Sequence, residues 1–583
     1  MRLSRTDIFV LLSLIAIFLG SRWLWIVWSP NSILYFEESY RWVAINEFLN
    51  QRFHPWLEYQ ADHYQGGPLV MMIATSLVMA VVGQTPVVFK MVMAFSTCAV
   101  LVMLYLLAHR VSGRSAAWIT ALLYLSGPPL VATWSLVQLG SHAESVLFSL
   151  PLLGTLLYRP QSQRDNLRFV LAVGILAGVA VWFCYSAAIM VAACVVVAVL
   201  GRDLPSPRLL CTAATGFAVG LTPWLYYNLT YGWRGFDRVW ELFGRGRPLD
   251  RWVDDTIGER IFRILFVDLP YGLSLGGDPA DATWVTHVVA WVIALSMAVG
   301  VAFSLSRLAT GLPVGRGGST RSSATADERG RDVFAVAAVY SALFFAFLVV
   351  TSFTTSRHTP VNFRFYVPWA VVMILPLGVC LAELMQRRRR LAIALVVVLV
   401  VTNTFGTARY AIAHRDDVVG FAGRMGYAIA GLLTYGKYRD DITHVVEIAD
   451  RIDDPSTKSK FLYGIGWGLA LRLASAHSGG RVQMAWLAIE SPPEIYTPIF
   501  FGLTWAVDGV ATRFAERYHH VLSRDDAAGR RARQRIEQLH DAASAAQQVL
   551  ANVPRIYWLI GLAPSKLPGR FPEDATRAAV DPG

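Results

Sequence analysis

The sequence predicts an all-α polytopic membrane protein. Of its 583 residues 55% are apolar and only 16% are charged, where an ordinary soluble domain carries about 25% charge. The mean hydropathy is +0.44, and apolar runs long enough to cross a bilayer recur along residues 1–408. These features exclude an ordinary soluble enzyme and a disordered chain. The formal charge of +11 is read as loop charge facing an anionic bilayer, so no nucleic-acid partner is expected. All five cysteines, Cys98, Cys184, Cys194, Cys211 and Cys380, fall in apolar runs without a CxxC pair. They read as packing residues, neither a disulfide framework nor a metal site.

The first apolar run, Ile8 to Trp28, follows Met-Arg-Leu-Ser-Arg and lacks a small-residue cleavage signature, so it is expected to be a retained helix. A bilayer core of about 30 Å needs about 20 apolar residues. About eleven spans are expected, at 7–28, 87–107, 116–135, 145–158, 168–183, 185–200, 209–229, 284–306, 333–353, 366–384 and 391–408.

Basic clusters set the expected orientation: the N-terminus, His109 to Arg114, Arg159 to Arg168, Arg202 to Arg208, Arg307 to Arg331 and Arg387 to Arg390. All fall on the cytoplasmic side only if residues 68–82 do not cross the membrane. That segment is therefore expected to be an interfacial or re-entrant helix. The outer face then carries loops 30–67, 138–144, 231–283 and 352–368, and everything after about residue 408. The Gly/Ser/Thr/Arg-rich stretch 308–332 reads as a cytoplasmic linker.

Ionisable residues at the outer edge of the membrane are costly and mark candidate chemistry. Glu37 and Glu38 open an amphipathic segment directly after the first span. Adjacent carboxylates there either cap a helix start or supply a general base for an acceptor hydroxyl or amine. His63 and Tyr64 precede Gln65-Gly66-Gly67-Pro68-Leu69, the turn into the embedded helix, and are candidate acceptor-positioning groups. His142 and Glu144 stand in a polar interruption between two spans, where they either cap the next helix or face the same cavity as Glu37 and Glu38. Their spacing is no specific metal motif, and a divalent metal stays open. Arg364 and Tyr366 head a later span; a guanidinium there either anchors the helix or binds a phosphate bidentately. The arginines of loop 231–283, Arg260 and Arg263 among them, add cationic charge suited to an anionic headgroup, offset in part by nearby carboxylates.

In their order these features resemble the GT-C superfamily of integral membrane glycosyltransferases, in the branch of protein O-mannosyltransferases and the lipid A aminoarabinose transferase. The resemblance covers about residues 7–408. Phe36-Glu37-Glu38-Ser39-Tyr40 looks like the Asp-Glu motif after the first span, with Glu in place of Asp. Gly67-Pro68-Leu69 matches a Pro-Pro-Leu turn with its first proline lost, and Arg364-Phe365-Tyr366-Val367-Pro368 matches Arg-Tyr-x-x-Pro with one residue inserted. The resemblance implies that Glu37 is the base, Glu38 and Glu144 shape the site, and Arg364 holds the donor phosphate. It implies a polyprenyl-phosphate-linked sugar as donor, a lipid, glycan or protein as acceptor, and hexosyl or pentosyl transfer with inversion. The expected location is the inner or plasma membrane, with active site and C-terminal domain on the non-cytoplasmic side. Two other readings remain at this point: a transporter or flippase for a lipid-linked glycan, and a non-catalytic scaffold with this fold. Spans nearly free of charge and the absence of a repeated half count against transport.

Residues 409–583 are more polar. Phe461-Leu462-Tyr463-Gly464-Ile465-Gly466-Trp467 recurs as Ile499-Phe500-Phe501-Gly502-Leu503-Thr504-Trp505 at an offset of 38, with a fainter copy at Phe421 to Tyr427. A period near 40 residues is consistent with a non-cytoplasmic helical domain of short α-solenoid repeats.

Overall fold

The computed structural model describes residues 3–33, 65–157, 163–200, 206–230, 232–233, 235–236, 256–276, 282–311, 326–351 and 360–415, with positions 38, 41, 45, 48, 49 and 279 singly. Contacts divide the chain into two units. The first holds Met1–Ile33 and Ala44–Arg415; the second holds Leu34–Val43 and Asp416–Gly583. Of the second unit only Glu38 and Arg41 are described, and both are buried. The expected helical repeats at 421–505 lie outside the described residues.

The first unit is a helical bundle. Its helices are α1 (Arg5–Trp28), α2 (Gly67–Val82), α3 (Pro86–Ser112), α4 (Arg114–Leu125), α5 (Pro129–Trp134), α6 (His142–Thr155), α7 (Gln163–Phe183) and α8 (Ala187–Leu200). They continue with α9 (Pro207–Gly220), α10 (Thr222–Thr230), α11 (Ile257–Arg263), α12 (Leu269–Ser274), α13 (Trp284–Gly311), α14 (Ala326–Val350), α15 (Tyr366–Arg387) and α16 (Arg389–Ala413). Among the described residues six helices are long and apolar enough to cross a membrane, in α1, α3, α13, α14, α15 and α16. The bent pair α9–α10, turned by 59°, makes a seventh if taken as one span. Segments 67–82, 167–183 and 187–200 are shorter apolar helices.

Proline explains why 116–135 is two helices and not one. Pro129 has no N–H to return to Leu125, so a helix running through would orphan that carbonyl. Nη2 of Arg22 donates to Leu125 O at 3.3 Å and its Nε to Ser135 Oγ at 2.7 Å, so one buried guanidinium staples both sides of the break. Arg22, and Lys90 in α3, are buried charges inside apolar helices, and each is committed to protein oxygens.

Contacts between helix ends sort those ends onto two faces. On one, Asp7 of α1 pairs with Arg114 of α4 at 3.1 Å, and Arg307 of α13 pairs with Glu383 of α15. On the other, Lys90 Nζ donates to Ile33 O at 2.6 Å, Ser29 Oγ to Ala411 O at 2.8 Å, and Arg260 Nη1 to Val349 O at 3.2 Å. Helix α2 has 16 residues, about 24 Å at 1.5 Å per residue, short of a bilayer core. Both of its ends adjoin this second face: Gly66 N donates to Trp182 O at 2.8 Å, and beyond Val82 the chain turns directly into α3.

Helices α7 and α9 pack backbone to backbone. A Cβ added at Gly178 or Gly220 would overlap the carbonyl of Phe217 or Ile175 on the opposite helix, and Gly174 and Gly216 repeat the contact one turn away. Small residues four apart let two membrane helices approach this closely.

Candidate functional site

The site is built where the α5–α6 connection meets the segment that opens α15. In the connection, Gln138 Nε2 donates to Thr75 Oγ1 at 2.5 Å and to Met71 O at 3.2 Å, which ties it to α2. Gly140, at φ +70°, lies so near Gly67 that a Cβ on either would overlap the other's backbone. The positive φ and the close approach both require glycine. The turn 65–69 and the interruption 138–144, remote in sequence, are thus one packed unit.

Glu144 organises that unit. Its Oε1 accepts from Leu139 N at 2.8 Å and Gly140 N at 2.7 Å, and its Oε2 from Ser141 N at 3.1 Å. A buried carboxylate receiving three backbone N–H groups at a helix start is a strong local brace. Glu144 therefore shapes the connection, and its oxygens are engaged in doing so. Among the described residues no group of three His, Cys, Asp or Glu side chains is placed to hold a metal ion.

The opposing wall is the 3₁₀ turn Pro360–Phe365, which leads into α15. Helices α5, α6, α12 and α15 all pack on it. Phe363 lies against Gly272 of α12, where a Cβ would sit 2.6 Å from its ring. The Arg364 guanidinium lies 5.4 Å from the centroid of Phe365, and His142 meets the same ring edge-on at 4.3 Å. The Arg364 charge acts on both His142 and Cys184. Tyr366 is buried against Phe344, at 5.8 Å between ring centroids.

Three buried polar atoms on the elements around this turn have no hydrogen-bond partner among the described residues: Thr133 Oγ1, His142 Nδ1 and Tyr366 Oη. Buried polar groups are nearly always satisfied, by protein, water or ligand. Their grouping around a half-buried arginine marks a place for a polar, anionic ligand.

Sequence reasoning did not single out Asp268. It ends a π-helical turn, Ile264–Asp268, between α11 and α12, and such turns recur at functional sites. Its carboxylate lies 3.5 Å from Arg263 Nε, and the charges of both act on Tyr366. Burial pushes the Asp268 carboxyl up to about 6, with Arg263 opposing the shift. One carboxylate in the apolar run Ile264-Leu265-Phe266-Val267-Asp268-Leu269 was the available signal. Of the expected site residues, His142, Glu144, Arg364 and Tyr366 come together here. Glu37, His63 and Tyr64 lie outside the described residues, and Glu38 is buried and belongs to the second unit.

Fold and site together define a polytopic α-helical membrane protein with a polar, arginine-bearing cluster near one face of its bundle. The chain is similar to solved structures of an oligosaccharyltransferase from Archaeoglobus fulgidus. In its apo form the identity is 14% and the TM-score 0.42, covering 72% of this chain and 57% of that one. In its complex with zinc and sulfate the values are 14% and 0.41, covering 72% and 55%. The chain thus spans little more than half the length of the archaeal protein. It is also similar to ArnT from Cupriavidus metallidurans bound to undecaprenyl phosphate, at 13% identity and a TM-score of 0.44, covering 94% of this chain and 89% of that one. No family model and no curated protein matches the sequence.

Proposed function

We propose that this chain is a membrane-embedded glycosyltransferase of the GT-C type, moving a sugar from a polyprenyl-phosphate-linked donor to a lipid, glycan or protein acceptor. The observation that carries this reading is the meeting of the Arg364 turn with the His142 connection amid buried polar atoms without protein partners. The motif order along the chain supports it independently. The face that bears this cluster is the non-cytoplasmic one, because the Arg110–Arg114 and Arg387–Arg390 clusters lie at the opposite helix ends. Lys90 and Arg22 hold helix ends and a helix break through protein oxygens. That use is structural and favours an enzyme over a transporter.

In the proposed reaction an acceptor hydroxyl attacks the anomeric carbon of the donor sugar while its proton passes to Glu37 or Glu38. The bond from the anomeric carbon to the phosphate oxygen breaks, and its electron pair leaves on the phosphate. Attack opposite the leaving group inverts the anomeric centre. Arg364 stabilises the phosphate charge as it develops, worth far more at a half-buried site than in bulk water. His142 and Tyr366 offer polar atoms to donor oxygens, and His63 and Tyr64 orient the acceptor.

The test is a deletion strain complemented with wild type, Glu37→Gln or Glu38→Gln, with membrane levels matched and sugar-bearing envelope products profiled. One carboxamide variant is expected to lose a product that wild type restores, which also assigns the base. Full restoration by both variants would reject the acid–base assignment.

A further inference from the structure

Phe365 is the residue by which this sequence departs from the Arg-Tyr-x-x-Pro pattern, and the structure gives the extra ring two partners. The Arg364 guanidinium lies over it at 5.4 Å, and the edge-on imidazole of His142 meets it at 4.3 Å and 69°. Arg364 and His142 are on elements separated by more than 200 residues, so this ring is a direct physical link between the α15 turn and the α5–α6 connection. A guanidinium held on an aromatic face in a desolvated site loses rotamer freedom and keeps its N–H edge available to an anion. The imidazole packed on the same ring leaves its Nδ1 buried without a partner among the described residues, facing the same ligand chemistry.

We propose that Phe365 is a positioning residue: it holds Arg364 and His142 as one preorganised anion-recognition unit for the donor phosphate. This deepens the proposed function and rests on its assignment of Arg364. A bare Arg-Tyr pair leaves the guanidinium to find its geometry on binding, whereas an Arg-Phe-Tyr triplet has it set beforehand. The inserted ring thereby raises affinity for the phosphate and leaves recognition of the prenyl chain alone.

The test titrates the full chain, solubilised in detergent, with farnesyl phosphate and with farnesol. Phe365→Ala is expected to weaken farnesyl phosphate binding about tenfold, the scale of a desolvated cation–π contact, and to leave farnesol binding unchanged. Phe365→Tyr keeps the ring face and is expected to stay within about twofold of wild type. Phe365→Leu keeps apolar volume without a π face and is expected to behave as Phe365→Ala. Wild-type affinity in Phe365→Ala, or equal losses for phosphate and alcohol, would overturn the proposal. If Arg364→Ala weakens farnesyl phosphate binding while Phe365→Ala does not, only the role of Phe365 fails. If Arg364→Ala binds both probes as wild type does, the assignment of Arg364 to the phosphate fails with it.

Discussion

Glycine brings backbones into contact in two regions of this molecule, and the two contacts serve different ends. Between α7 and α9, Gly174 and Gly178 meet Gly216 and Gly220 in a contact of backbone on backbone along two apolar helices. Between α2 and the α5–α6 connection, Gly67 meets Gly140 just as closely. That second contact sits beside a carboxylate braced by three N–H groups and an imidazole with an unsatisfied nitrogen. The first is consumed entirely in holding two helices together. The second brings loops from remote parts of the chain into register and leaves polar atoms over, as a site requires. Close approach alone is therefore a packing device, and the leftover polarity distinguishes the functional contact.

That contrast predicts separable effects. The largest is expected from Arg364→Ala, which should lower sugar transfer by about 10² to 10³-fold while thermal unfolding of the solubilised protein stays as in wild type. Gly178→Leu should do the reverse. A side chain forced against the Phe217 carbonyl is expected to cost about 3 kcal/mol, seen as lower membrane yield and unfolding temperature. Any protein that does fold should remain active. Gly67→Ala joins the two behaviours, since its Cβ overlaps the Gly140 carbonyl inside the site. It should lower stability and activity together, and unchanged activity would show that the connection is not part of the site.

Smaller effects sharpen the same division. Glu144→Gln keeps shape but turns an amide N–H₂ toward backbone donors, so a loss of about 1–2 kcal/mol is expected. Activity should fall only as far as the connection loosens, as read by the temperature dependence of transfer. The smallest effect concerns Asp268. Its folded-state value of about 6 lies above the ordinary value of 3.8, so the folded protein holds this proton more tightly than the unfolded chain does. The stability it contributes is fully present below pH 4 and is lost as pH rises through 6. Unfolding temperature should fall over that interval in wild type relative to Asp268→Asn, and parallel curves for the two would contradict the assignment.

Much of the architecture was legible in the sequence, because membrane burial imposes a demand on composition that few other environments do. The six long apolar helices all fall at expected spans. The break at Gly127-Pro128-Pro129 was not foreseen, since an apolar run hides a missing N–H until the carbonyl that loses its partner is located. The charges at Arg22 and Lys90 were passed over for the same reason: their partners are carbonyls and hydroxyls on other helices, which leave no trace in local pattern. In the site, residue type and position singled out His142, Glu144, Arg364 and Tyr366. What Glu144 does with its two oxygens, and that the inserted Phe365 lies between Arg364 and His142, depend on packing across the bundle and have no sequence signature. Asp268 is intermediate, a lone carboxylate in an apolar run that a stricter search for costly charges would have found.

The central claim is that Arg364 serves a lipid-linked phosphate donor, and the most direct measurement is the lipid-linked sugar pool of a deletion strain complemented with Arg364→Ala at wild-type membrane level. The account predicts that a polyprenyl-phosphate sugar accumulates while one sugar-bearing envelope product disappears, with both reversed by wild type. An unchanged donor pool and an intact product in the Arg364→Ala strain, beside a clear defect in the deletion, would contradict it.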